Sequence, residues 1–131
     1  MKPEESRLHT RYQVSLPIDL HAVDSVDDNP KHPPLRFQSL TRDLSLGGAL
    51  VDLVANTTGL DPQWQTTWFR DRYFWIHIKG ISTIPEGLFA KTQAVRLVGE
   101  DQTHPEAVGL EFQDLLDSIN RNLKEFLDTL S

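Results

Sequence analysis

Cysteine is absent from the 131 residues, which removes disulfide frameworks, thiolate metal sites and cysteine nucleophiles at one stroke. Long apolar runs are absent too. Nothing approaches the roughly 20 residues that a membrane-crossing helix needs, and Met1 to Tyr12 is too polar to form the apolar core of a signal peptide. A chain with these gaps is expected in the cytoplasm, without insertion into a membrane. Internal repeats and low-complexity tracts are also missing, which leaves a single compact domain as the expectation for this length.

Positive charge is in deficit: 13 Lys and Arg stand against 19 Asp and Glu, for a net charge of −6. The deficit sits in one place. Glu100 to Ser131 hold eight acids and two bases, and the remainder is balanced. Broad binding to a nucleic acid polymer depends on many phosphate contacts and is not expected, whereas a compact anion held by a few arginines remains compatible with this balance. The five histidines, His9, His21, His32, His77 and His104, show no ligand spacing, so no metal site is predicted. With no Gly-rich phosphate loop and no GxSxG elbow, the chain carries no signal of an enzyme.

What is present is a succession of short strands. Val14, Leu16, Ile18 and Leu20 alternate with polar residues from Tyr12 onward, the period-2 pattern of a strand with one buried face. Pro17 within it points to an edge or a bulge. The Asp- and Pro-rich stretch Asp24 to Pro34 reads as a loop. A second strand is predicted from Leu35 to about Arg42 and a third from Ala49 to Val54. Tyr73 to Lys79 places Phe74, Ile76 and Ile78 on one face, and two further strands cover Leu88 to Val98 and Val108 to Phe112. Ala55 to Arg72 has turn signals, Trp64 and Trp68 but no clear period; a short helix is the one element it suggests. The tryptophans, Trp75 included, read as packing residues.

The period then changes. Leu115, Leu116, Ile119, Leu123, Phe126, Leu127 and Leu130 recur every three or four residues, so an amphipathic helix is predicted over 114–130 with Asp114 as its N-cap. About six strands without βαβ alternation, followed by one helix, imply a mainly β fold: an antiparallel barrel or sandwich closed by a C-terminal helix. Residues 1–11, polar and aperiodic, read as a flexible arm, and residues 12–131 as the single domain.

Two short patterns flank the strands: Arg7-Leu8-His9-Thr10-Arg11, an RxxxR ahead of the first strand, and Asp43-Leu44-Ser45-Leu46-Gly47-Gly48, a DxSxxG between the second and third. In these two patterns, in this order, the sequence resembles the PilZ family of cyclic di-GMP receptors. Gly48-Ala49-Leu50-Val51, Ala94-Val95-Arg96-Leu97 and Val108-Gly109-Leu110-Glu111-Phe112 extend the resemblance to the family's third, fifth and sixth strands. It implies a split-barrel fold and a cyclic di-GMP site formed by Arg7, Arg11, Asp43, Ser45 and Gly48, with Gly47 and Arg96 as weaker members. Many binding members carry a second arginine before the RxxxR, where this chain has Ser6.

The chemistry of these side chains suits that ligand. A guanidinium forks onto phosphate oxygens or onto guanine O6 and N7, and its plane stacks on a base. The Asp43 carboxylate accepts guanine N1–H and N2–H, the Ser45 hydroxyl reaches phosphate or base, and Gly48 permits close backbone approach. The resemblance implies a receptor that signals to a downstream protein; the polar arm that holds both arginines is expected to order on binding, and the width of the helix stripe leaves room for a monomer or a weak dimer. A PilZ-like interaction adaptor that ignores the nucleotide is the alternative. Read without the resemblance, Arg7 and Arg11 are solvated charges, and Asp43 with Ser45 caps a turn.

Overall fold

The computed structural model describes residues 9–23, 36–55, 57–59, 69–99 and 105–131. Six strands, β1 (Pro17–Ala22), β2 (Arg36–Leu44), β3 (Gly48–Asp52), β4 (Tyr73–Ile78), β5 (Leu88–Val98) and β6 (Ala107–Gln113), close into one antiparallel barrel in the order β1-β2-β3-β6-β5-β4. Among the described strands, closure leaves no free edge on which another chain would pair. A helix, α1 (Asp117–Asp128), follows the last strand. Among the described residues no helix is long and apolar enough to cross a membrane.

The alternation in the sequence becomes the two faces of the barrel wall. Ile18 and Leu20 of β1, Phe37 of β2, Val51 of β3, Phe74, Ile76 and Ile78 of β4, and Leu88 of β5 all point inward and are buried. Phe37 meets Phe69 and Phe74 edge-on, with centroids 6.3 Å apart in both pairs, and Phe69 stacks on Phe74 at 6.1 Å. Each such buried ring contributes roughly 1.5–3 kcal/mol by leaving water. Leu123, Phe126 and Leu127 of α1 are buried against the same core, and the Thr83 hydroxyl donates to the Asn122 carbonyl to fasten the helix.

Four expectations change. The first strand begins at Pro17 and not at Tyr12: residues 12–16 keep the in-and-out alternation but are tied down differently. Tyr12 and Leu44 exchange two backbone hydrogen bonds of 2.9 Å, and the buried Thr41 hydroxyl accepts from Leu16 N–H and donates to the Val14 carbonyl. Pro17 marks neither an edge nor a bulge; it opens the strand, a position where a missing N–H is tolerated. Asp114 is not the helix cap. It adopts φ +50° in the turn leaving β6, and Leu116, 70% exposed, occupies the N-cap without any side-chain cap. Trp75 is 51% exposed, because period 2 turns it away from Phe74 and Ile76. Of the uncertain stretch, Thr58 pairs with Gln38 and Phe69 enters the core; Trp64, Trp68 and the suggested short helix lie outside the described residues.

Candidate functional site

Two β-bulges turn the barrel wall into a site. On β2, Phe37, Ser39 and Thr41 point inward, so strict alternation would send Asp43 inward too. Thr41 pairs with Val51 and Asp43 with Leu50, however, which leaves Arg42 as an extra residue. The bulge puts Asp43 outside and restores Leu44, fully buried, to the core. The same device recurs on β5. Ala94 pairs with Leu110 and Arg96 with Gly109, so Val95 is extra; Arg96 faces outward and Leu97 returns to the interior. Without these two bulges, both charged side chains would be driven into an apolar core at a cost of several kcal/mol each.

The re-aimed residues fall on one line across the wall. Asp43 pairs with Leu50, Leu50 with Gly109 and Gly109 with Arg96. Three inter-strand steps separate the two charges, about 14 Å between their backbones. Between and around them lies a cleft of about 440 Å³. Its floor is made of Gly48, Gly109 and, between Asp43 and Gly109, Leu50. A β-carbon on Gly48 would fall 1.9 Å from the Leu110 carbonyl oxygen, so β3 and β6 can approach as they do only with glycine there. A β-carbon on Gly109 would fall 3.3 Å from Arg96 Cβ, and the Arg96 side chain lies across this open position.

Ser45 holds the turn between β2 and β3. Its N–H donates to the Gly48 carbonyl at 2.9 Å, and its hydroxyl oxygen accepts from the N–H groups of Gly47 at 3.1 Å and Gly48 at 3.2 Å. The turn is tied to β6 by a 2.9 Å bond from Phe112 N–H to the Gly47 carbonyl. The turn-capping expectation therefore holds for Ser45 and not for Asp43, whose side chain makes no hydrogen bond or ion pair among the described residues.

Arg11 lines the same cleft, one residue before the Tyr12–Leu44 bridge at which the arm joins the barrel. His9 lines it too, its ring lying directly on Gly47, where a β-carbon would come within 2.6 Å of His9 Cδ2. Arg11, Asp43, Ser45, Gly47, Gly48 and Arg96 are thus brought together on one surface. Arg7 lies outside the described residues. Among the described residues, no three His, Asp or Glu side chains gather into a group that could hold a metal.

No protein-family model matches the chain, and no curated protein matches it. Solved structures do. The PilZ domain of YcgR from Escherichia coli, determined with c-di-GMP, superposes with a TM-score of 0.56 at 18% identity, covering 93% of this chain and 88% of that one. The PilZ domain of CeSA from a cellulose-synthesizing bacterium gives 0.58 at 14% identity, over 92% and 97% of the two chains. The Bacillus subtilis inhibitor of motility MotI/DgrA gives 0.63 at 14% identity over 98% of this chain, which spans 56% of that protein. The fold is that of a PilZ domain.

In this PilZ-like barrel, several cleft residues were not singled out from the sequence: His9, Leu50, Val95, Gly109 and Glu111. Gly109 and Glu111 sit on β6 and become neighbours of the DxSxxG turn only through the β3–β6 pairing, in which Gly48 faces Glu111. His9 was visible as the middle residue of RxxxR. Its contact with Gly47 spans 38 positions of sequence and has no local signature.

Proposed function

We propose that the chain is a receptor for cyclic di-GMP. The observation that carries this reading is that Arg11 of the first sequence pattern meets Asp43, Ser45 and Gly48 of the second, together with Arg96, at one cleft floored by glycines. Arg11 and Arg96 supply guanidinium groups for the phosphates and base faces, and the Asp43 carboxylate takes the donor edge of a guanine. Ser45 shapes the turn and offers its hydroxyl proton, which among the described residues makes only a long 3.4 Å approach to the Gly48 carbonyl. Arg7 adds a second guanidinium from the arm. The neighbouring YcgR domain, solved with c-di-GMP, supports the assignment.

In this reading the chain is a receptor and not a catalyst, acts in the cytoplasm, and passes its signal to a downstream protein when the arm bearing Arg7 and Arg11 orders over the nucleotide. Fixing that arm costs about 1–2 kcal/mol per residue, so the arginine contacts must offset several kcal/mol before net affinity appears. The adaptor reading is favoured by a different observation: Tyr73, Trp75 and Phe89 are exposed on the outside of β4 and β5, an aromatic strip interspersed with Lys91 and His77. Calorimetric titration separates the two. The receptor reading expects saturable binding of cyclic di-GMP and far weaker binding of cyclic di-AMP; no heat from either dinucleotide, with the protein folded, would leave the adaptor reading in its place.

A further inference from the structure

Glu111 raises a question that the proposed site leaves open. It stands on β6 directly across from Gly48 and two residues from Gly109, so it borders the glycine floor on the side away from Asp43. Its side chain is exposed and makes no ion pair among the described residues; its one side-chain hydrogen bond there is a 3.4 Å bond accepted from Gln113 Nε2. A cleft meant only to attract phosphate gains nothing from a carboxylate at its rim, since like charges repel. A carboxylate becomes favourable there when the ligand also brings paired N–H donors.

Building on the receptor reading, we infer that Glu111 is a second base-reading carboxylate, which accepts the N1–H and N2–H of one guanine while Asp43 accepts those of the other. The placement fits a ligand with two equivalent bases. Asp43 and Glu111 are two strands apart and offset by two residues along the strand, about 12 Å between backbones, with the open floor of Leu50, Gly48 and Gly109 between them. Each carboxylate is an acceptor pair aimed at an outward-facing cleft, and adenine offers no matching N1–H and N2–H pair, so each guanine is selected separately. The two phosphates fall to Arg11 and Arg96. The rim then matches the ligand's full alternation of donor edges and anionic linkers.

The test compares cyclic di-GMP, the mixed cyclic GMP–AMP dinucleotide and cyclic di-AMP on the full chain. The unsubstituted protein should weaken at least tenfold for each guanine replaced. Glu111→Ala should weaken cyclic di-GMP at least tenfold and bring it within about twofold of the mixed dinucleotide, because one remaining reader sees one guanine in either. Glu111→Gln should behave similarly, since an amide cannot present two acceptor oxygens. Unchanged selectivity in Glu111→Ala, or an equal loss for all three ligands, overturns the inference while leaving the receptor reading intact. If the unsubstituted chain binds none of the three, both fall. An unchanged melting temperature, expected for an exposed position, confirms that the variants remain folded.

Discussion

Gly48 and Arg11 face the same cleft, yet they are held in opposite ways. Gly48 is pressed against the Leu110 carbonyl so closely that not even a methyl group fits, while the neighbouring turn is locked by the Ser45 hydroxyl and by the bond from Phe112 N–H. Arg11 is exposed, and its guanidinium makes no hydrogen bond or ion pair among the described residues. The exposed Arg96 guanidinium and the partly buried Asp43 carboxylate likewise make none among those residues. The floor of the cleft is thus continuous with the fold and has little freedom, whereas the rim consists of charges that the fold positions but does not use. Residues of one sequence pattern divide between the two: in DxSxxG, the Asp belongs to the rim, and the Ser and Gly belong to the floor.

This division predicts that floor substitutions cost stability and rim substitutions cost binding. The largest effect is expected at Gly48. Gly48→Ala places a methyl group inside the Leu110 carbonyl, and the obstacle is backbone, so β3 and β6 must move apart. A loss of about 3 kcal/mol is expected, at the upper end of ordinary overpacking. Denaturant unfolding checks it: a normal midpoint would show that the floor is softer than its geometry implies.

Arg11 and Ser45 sharpen the comparison with smaller, opposed effects. Arg11→Ala should weaken cyclic di-GMP about tenfold or more, through loss of charge-assisted hydrogen bonds, with little change in melting temperature. Ser45→Ala removes the acceptor of two turn N–H groups and should cost about 1–2 kcal/mol of stability before any effect on the ligand is considered. Titration and thermal melts on both variants read the two columns separately. A large drop in melting temperature for Arg11→Ala, matched by intact stability in Ser45→Ala, would invert the assignment of rim and floor.

The parts of this structure that were legible in the sequence are those governed by period. Tyr73 to Ile78 alternates without interruption, and its faces are as the pattern has them; the helix stripe of Leu123, Phe126 and Leu127 likewise packs as its spacing implies. What was not legible follows from departures from period. The bulges at Arg42 and Val95 are single extra residues that only the partner strand reveals, yet they decide that Asp43 and Arg96 face the cleft at all. The start of the first strand was misplaced because an extended segment bonded to the Thr41 hydroxyl has the same alternation as a laddered strand. Phe69 gave no signal because its burial depends on Phe37 and Phe74, which lie on separate strands. Of the site, the motif residues were visible as letters; the Ser45 turn, the Gly109 opening and the position of Glu111 across from Gly48 exist only once the barrel has closed.

The central claim is that this cleft, and not the aromatic strip on β4 and β5, receives cyclic di-GMP beneath an arm that orders in response. Amide hydrogen exchange along the whole chain, with and without saturating cyclic di-GMP, tests it most directly. The account predicts new protection in residues 1–11 and in the 45–48 turn, with β1 and β4 nearly unchanged. Protection confined to Tyr73 through Phe89, or an arm that exchanges at the same rate in both states, would contradict it.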